Sequence, residues 1–113
     1  TERITFCALF HDLGKAGSPG NPYYVPVQED WKRRREESYE VSKEAWMPNS
    51  ELGLWTLASH GVTLDHEEYA AIRLNDGPGV AENRPWDFRV PHLALIVHWA
   101  DMWSMEAEKA AAR

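Results

Sequence analysis

Apolar positions along residues 1–13 recur at Ile4, Cys7 and Ala8, with His11 next in the series; steps of three and four mark one face of a helix. Gly14 is the natural stop. His11 therefore stands in line with the apolar stripe, and Asp12 lies beside it at the helix end. The following stretch, AGSPGNPYYVPVQED, holds three prolines and two glycines, which excludes a regular helix and predicts a long loop. Residues 31–46, WKRRREESYEVSKEAW, fit two patterns. Their charges suit an exposed helix, whereas Trp31, Tyr39 and Val41 suit a short hairpin, and the hairpin is preferred. Ser50 is the expected N-cap of a second helix that carries Leu52, Leu54, Trp55, Leu57 and Ala58 and ends at Gly61. A third helix is predicted after Asp65, with Glu68 completing a capping box, Leu64 and Tyr69 placed as a hydrophobic staple, and an end near Asn75, Asp76 and Gly77. After a second loop, GPGVAENRPWDFRV, Pro91 is expected in the first turn of a last helix. One face of that helix reads Leu93, Ile96, Val97, Ala100, Asp101 and Ser104, which directs Asp101 inward.

The pattern predicts a mainly all-α chain, a helical bundle with long loops and a small β-hairpin. At 113 residues it is one domain, residues 1–113, with a single core. It opens at Thr1 without Met and already in helical pattern, so it reads as an N-terminally trimmed piece of a longer protein. A net charge of -6, from 12 Lys+Arg against 18 Asp+Glu, argues against duplex nucleic acid as a partner. The single Cys7 excludes an internal disulfide and reads as small core filler, and the cytoplasm is the expected compartment. No apolar run approaches the roughly 20 residues that cross a bilayer, so no membrane is expected. The tryptophans Trp31, Trp46, Trp55, Trp86, Trp99 and Trp103 are numerous for the length. Most are expected in the core, with Tyr23, Tyr24 or Trp86 available to stack on a base and a Trp-rich surface open to homo-oligomer formation.

Chemistry enters through His11 with Asp12 on one helix and Asp101 on another. Carboxylates directed into an apolar layer need a partner. A divalent cation held by all three side chains is one answer; the other is that His11 caps its helix, Asp12 is solvated and Asp101 bonds a neighbour. Nitrogen and oxygen donors without thiolate favour Mn, Mg, Fe, Co, Ni or Zn, and three protein ligands leave positions open for water and substrate.

The segments ALFHDLGK and IVHWADMW together resemble the HD-domain metal-dependent phosphohydrolases, whose pattern is a His, a His-Asp doublet and a distant Asp, all on helices. The likeness extends to a bacterial and phage branch of that family through NPYY, the Trp/Tyr segment, LDHEEYAAIRLNDG and LALIVHWADM, over nearly the whole length. It implies an HD-like helical fold and a hydrolase acting on a small phosphate ester or anhydride, with a nucleotide the implied substrate. His11, Asp12 and Asp101 match the catalytic metal ligands. No residue matches the family's first His, because only ten residues precede His11. That His is absent from this piece, comes from another chain, or leaves a site of three protein ligands. Asn49 and Asn75 stand where some relatives carry histidines for a second metal, so one metal is expected. Asn75 reads as a weak ligand or a substrate contact, and Asn49 as a group behind the ligands. Lys15 reads either as a phosphate contact or as an ordinary cation at a helix end. Arg73 reads as a substrate contact or a surface ion pair, and Tyr24 as a base-stacking contact. His98, three residues before Asp101, is either a partner orienting that carboxylate or simply packed. His60 is expected to cap a helix end, His66 and His92 to be exposed, and the run Lys32, Arg33, Arg34 and Arg35, followed by Glu36 and Glu37, to be a solvated face rather than a nucleotide clamp. The competing reading of the whole is a degenerate HD fold that binds or assembles without catalysis.

Overall fold

The computed structural model describes residues 2–33, 38–45 and 47–112, with backbone alone at 32, 33, 87 and 88. The side chains of the basic run Lys32, Arg33, Arg34 and Arg35, together with Glu36, Glu37 and Trp46, lie outside the described residues. Helix α1 spans Glu2–Phe10 and leads into a 3-10 turn, Leu13–Ala16. Strands β1 (Tyr24–Pro26) and β2 (Tyr39–Val41) flank a short helix α2 (Asp30–Arg33). Helices α3 (Asn49–Ser59) and α4 (His66–Arg73) follow, then a 3-10 segment, Ala81–Arg89, and the long α5 (His92–Ala111). The chain is thus mostly helical with one small antiparallel sheet.

Helix α4 is the hub. Its Ala70, Ala71 and neighbouring Leu74 pack with Cys7 of α1 and with Leu93, Ala94 and Val97 of α5, while Ile4, Phe6, Trp86 and Val90 close the edges. On its other side Ile72 meets Leu54 and Leu57 of α3, with Phe10 and Leu13 against them. Phe6 touches both clusters, and its ring lies 4.9 Å from that of Phe10, so the two clusters form one continuous core. Cys7 is fully buried, and burial pushes its thiol up to about 11, as befits core filler rather than a nucleophile.

The expected capping box is present. Asp65 Oδ1 accepts the Glu68 backbone N–H at 2.8 Å, and Glu68 Oε1 accepts that of Asp65 at 3.0 Å. The Glu68 N–H bond, aided by Arg3 2.6 Å away, holds the Asp65 carboxyl below its ordinary value of 3.8. A depressed carboxyl pKa stabilises the fold above the unfolded value and loses that contribution as pH falls through the folded one. Asp65→Asn keeps a capping oxygen but not the charge. The stability gap between wild type and Asp65→Asn should therefore be widest near neutral pH and narrow below pH ~4 in urea titrations; a gap independent of pH would refute the assignment.

Four expectations need correction. The Pro/Gly segment is not all loop, because β1 forms inside it and pairs with β2 in the register Tyr24↔Val41, Val25↔Glu40, Pro26↔Tyr39. The hairpin thus joins this segment to residues 39–41 instead of lying within 31–46. Proline excludes helix there, but a strand at the edge of a two-stranded sheet accepts Pro26. Pro48, not Ser50, occupies the N-cap of α3, and Ser50 is a buried residue of its first turn. Pro91 caps α5 from just outside. Of the described tryptophans, Trp31, Trp55, Trp99 and Trp103 are exposed and only Trp86 joins the core, since the α4 hub is lined by small residues and leaves no room for more indoles.

Candidate functional site

The end of α1 and the middle of α5 bring His11, Asp12 and Asp101 together. His11 Nδ1 lies 2.6 Å from the Ala8 carbonyl oxygen, which can only accept, so Nδ1 carries the ring proton. The lone pair of Nε2 then faces two carboxylates, 3.4 Å from Asp12 Oδ2 and 3.3 Å from Asp101 Oδ1. Nε2 is itself buried and has no hydrogen-bond partner. Three electron-rich atoms converge here, with the Lys15 ammonium at one edge, 3.0 Å from Asp12 Oδ2, and a cation facing Nε2, whether a proton on it or a metal ion, would satisfy the arrangement. Among the described residues no group of three or more His, Cys, Asp or Glu side chains is placed so that it could hold a metal ion. The donor chemistry fits a divalent ion all the same: one imidazole nitrogen held in its tautomer by a backbone carbonyl, and two carboxylate oxygens.

Asp12 is the best supported of the three. Its Oδ1 accepts Asn49 Nδ2 at 3.0 Å and its Oδ2 accepts Lys15 Nζ at 3.0 Å. Burial pulls the Lys15 ammonium down, but the hydrogen bond and charge of Asp12, with Tyr24 and Asp101 nearby, outweigh it and raise its pKa. Lys15 therefore stays a cation beside the cluster. Asn49 thus lies directly behind Asp12, and its Oδ1 is a second buried atom without a partner. Its placement depends on Gly14, where the 3-10 turn meets the start of α3 so closely that a Cβ would run into the Asn49 carbonyl. Tyr24, half exposed, stands edge-on to Tyr23 with centroids 5.0 Å apart.

Other expected site residues serve as scaffold. Asn75 is 2 % exposed, too deep to touch a substrate; its Nδ2 donates to the carbonyls of His11 at 2.7 Å and Ile72 at 3.0 Å, fixing the backbone that carries the doublet. His98 does not orient Asp101, because its Nδ1 bonds the Asn75 carbonyl oxygen at 2.8 Å and its Nε2 lies where a Cβ on Gly77 would fall. Arg73 is bonded to Asn83 Oδ1 at 2.7 Å and the Glu82 carbonyl at 3.4 Å, with Glu51 3.7 Å from its Nε, so it braces the α4 corner. Asn83, 1 % exposed and donating to the Gly77 carbonyl at 2.7 Å, belongs to the same brace. Sequence reading missed it because an Asn in a Pro/Gly loop looks like any turn residue. Asp101 is also less inward than its spacing implied: Leu93 and Val97 are buried, but Ile96, Ala100 and Ser104 are exposed and the Asp101 side chain is 47 % exposed, since no described element covers the second half of α5.

His60 closes α3 with Nδ1 2.9 Å from the Thr56 carbonyl oxygen, and His66 and His92 are exposed at the first positions of α4 and α5, as expected. A groove of about 540 Å³ opens between the hairpin and α3, lined by residues that include Tyr23, Met47, Leu52 and Trp55 but none of the His-Asp cluster. No described helix is long and apolar enough to cross a membrane. No protein-family model, no characterised protein and no solved structure matches this chain.

Proposed function

We propose that the chain is a metal-dependent phosphohydrolase acting on a small phosphorylated substrate of the nucleotide class, with His11, Asp12 and Asp101 as the metal-binding set. The observation that carries this reading is the orphaned Nε2 of His11 facing two carboxylate oxygens from opposite ends of the chain. The resemblance of ALFHDLGK and IVHWADMW to the HD-domain family supports it. A divalent ion in this site would neutralise phosphoryl oxygens and acidify a water for attack on phosphorus. The chain's own contributions are more specific. The Ala8 carbonyl keeps the proton on Nδ1, leaving Nε2 free to donate its lone pair. Asn49 holds Asp12 in place, Lys15 offers a compact cation to a phosphate, and Tyr24 stands beside it in reach of the rest of a substrate.

The test is a panel of nucleoside mono-, di- and triphosphates with Mn or Co, scored for phosphate release, alongside metal uptake by dialysis and thermal shift. Uptake of one ion per chain with release from at least one phosphate is expected; neither uptake nor release in any combination would overturn the reading. A second reading, an HD-like module that binds or assembles without catalysis, is favoured by one observation. The exposed side of α5 carries two tryptophans, a poor surface to leave in water without a partner. Under that reading metal uptake fails while self-association or partner binding persists.

A further inference from the structure

The groove between the hairpin and α3 has two apolar walls. Ser42 donates its backbone N–H to the Tyr23 carbonyl at 2.8 Å, so Tyr23 continues the ladder of β1, and alternation along the strand sets Tyr23 and Val25 on one face. Leu52 and Trp55 stand three residues apart on α3, hence on one side of that helix, and Met47 joins them from just before it. All five line the groove. Aromatic rings thus come from both walls, which suits a flat ring, because stacking on an aromatic face needs area and no particular hydrogen bond.

The groove also starts close to the His-Asp cluster. Asn49, whose side chain holds Asp12, opens α3, and Leu52 and Trp55 lie further on by about 4.5 and 9 Å along the helix axis. On the other wall the loop that follows Lys15 leads through Ser18 to Tyr23. Burial and the neighbouring Tyr24 raise the pKa of the Tyr23 phenol, while the Asn49 backbone N–H and the Lys15 ammonium pull it the other way, so the hydroxyl end of this ring lies toward the cluster. A phosphate is disfavoured within the groove itself, since the described lining holds Glu29, Glu40 and Glu44 against one lysine, Lys43. A ligand that is flat and neutral at one end and anionic at the other therefore fits one way round, ring in the groove and phosphate toward Lys15 and His11.

We infer that the groove is a nucleobase site, which takes a purine ring between Tyr23 and Trp55 while the phosphate of the same molecule lies at the His11, Asp12 and Asp101 cluster. Volume decides for purine. A groove of about 540 Å³ is a full small-molecule site, which the single ring of a pyrimidine would leave largely to water, whereas a double ring covers more of both aromatic walls. The placement of the phosphate rests on the proposed hydrolase reading, but capture of the ring does not.

Equilibrium dialysis of the full chain against adenosine, guanosine, cytidine and uridine at millimolar concentration, without metal, reads the groove alone. Purine nucleosides should bind and pyrimidine nucleosides should bind more weakly. Trp55→Ala should weaken purine binding at least about tenfold, the loss of one base–aromatic stack, and Trp55→Phe should retain most of it. Trp55 is half exposed, so neither exchange should alter the far-UV circular dichroism spectrum. Asp101→Asn should leave nucleoside binding unchanged. No nucleoside binding, binding indifferent to Trp55→Ala, or pyrimidines held as tightly as purines overturns the inference. Phosphate release without nucleoside capture refutes the groove and spares the hydrolase reading, whereas capture through Trp55 with neither metal uptake nor phosphate release refutes that reading and keeps the groove.

Discussion

Replacing Asp101 with Asn is expected to abolish metal uptake and phosphate release while leaving the fold intact. The side chain is nearly half exposed and its cluster contact is to His11 Nε2, so the exchange removes little packing. Its electrostatic effect is larger. Asp101 Oδ1 is one of two carboxylate oxygens facing Nε2 of His11, a ring nitrogen with no hydrogen-bond partner, and that convergence of acceptors is what attracts a cation. The amide of Asn brings a donor, which can satisfy Nε2 directly and close the site as an ordinary hydrogen bond. Loss of supporting groups around a metal costs about 10- to 100-fold in affinity, so loss of a ligand should cost more than ~100-fold, with hydrolysis falling at least as far. Thermal shift separates the outcomes: Mn at 100-fold excess over its dissociation constant adds about 2.7 kcal/mol to the wild type and nothing to the variant. An Asp101→Asn chain that still takes up metal and still releases phosphate would sink the proposed site.

The elements legible in the sequence are those governed by local rules. The α4 capping box, the glycine stops at Gly61 and Gly77 and the inward stripe of Leu93 and Val97 each depend on residues within one or two turns, and each is found where expected, whereas α1 ends at Phe10, short of Gly14. The convergence of His11, Asp12 and Asp101 was also legible, because two helices directing ionisable groups the same way is a pattern of spacing. What spacing could not convey is competition among polar partners. By sequence Asn75, Arg73 and His98 look available for substrate or for Asp101, but Asn75 bonds the His11 carbonyl, Arg73 the Asn83 amide and His98 the Asn75 carbonyl, partners far away in sequence or hidden in a loop. The same limit explains the tryptophans. Apolar character predicts burial only while there is core to fill, and a hub built on Ala70 and Ala71 has little volume to offer. Strand β1 was missed because prolines were read as loop markers, whereas pairing with β2 is decided by residues more than a dozen positions downstream.

By sequence Gly14 reads as a helix stop, yet α1 ends at Phe10 and Gly14 lies within the 3-10 turn, where Gly14→Ala is expected to be strongly destabilising. Gly14 is buried, and a Cβ there would overlap the Asn49 carbonyl oxygen and lie 2.7 Å from Asn49 Oδ1. The obstacle is mainly backbone, so no rotamer change relieves it. Either the 3-10 turn or the start of α3 must move, and Gly53, with its own would-be Cβ 3.2 Å from the Gly14 nitrogen, leaves no slack on the neighbouring side. Displacement pulls Leu13 off the Leu54, Leu57 and Ile72 cluster and breaks the 3.0 Å bond from Asn49 to Asp12. Overpacking of this kind costs about 1–3 kcal/mol. Loss of the Asn49 bond adds about 1 kcal/mol, and the sum should lower the melting temperature by ~10 °C or more. Since the φ of Gly14 is not positive, Ala adds no backbone strain of its own, and the clash is the sole source of the effect. Gly79→Ala is the matched control, for a Cβ there meets nothing within 4 Å. Paired thermal melts should show Gly79→Ala close to wild type and Gly14→Ala far below it, with weaker metal affinity because Asp12 has lost its brace. Equal melting temperatures for the two variants would show that the close approach of the turn to α3, on which the geometry of Asp12 depends, does not hold in solution.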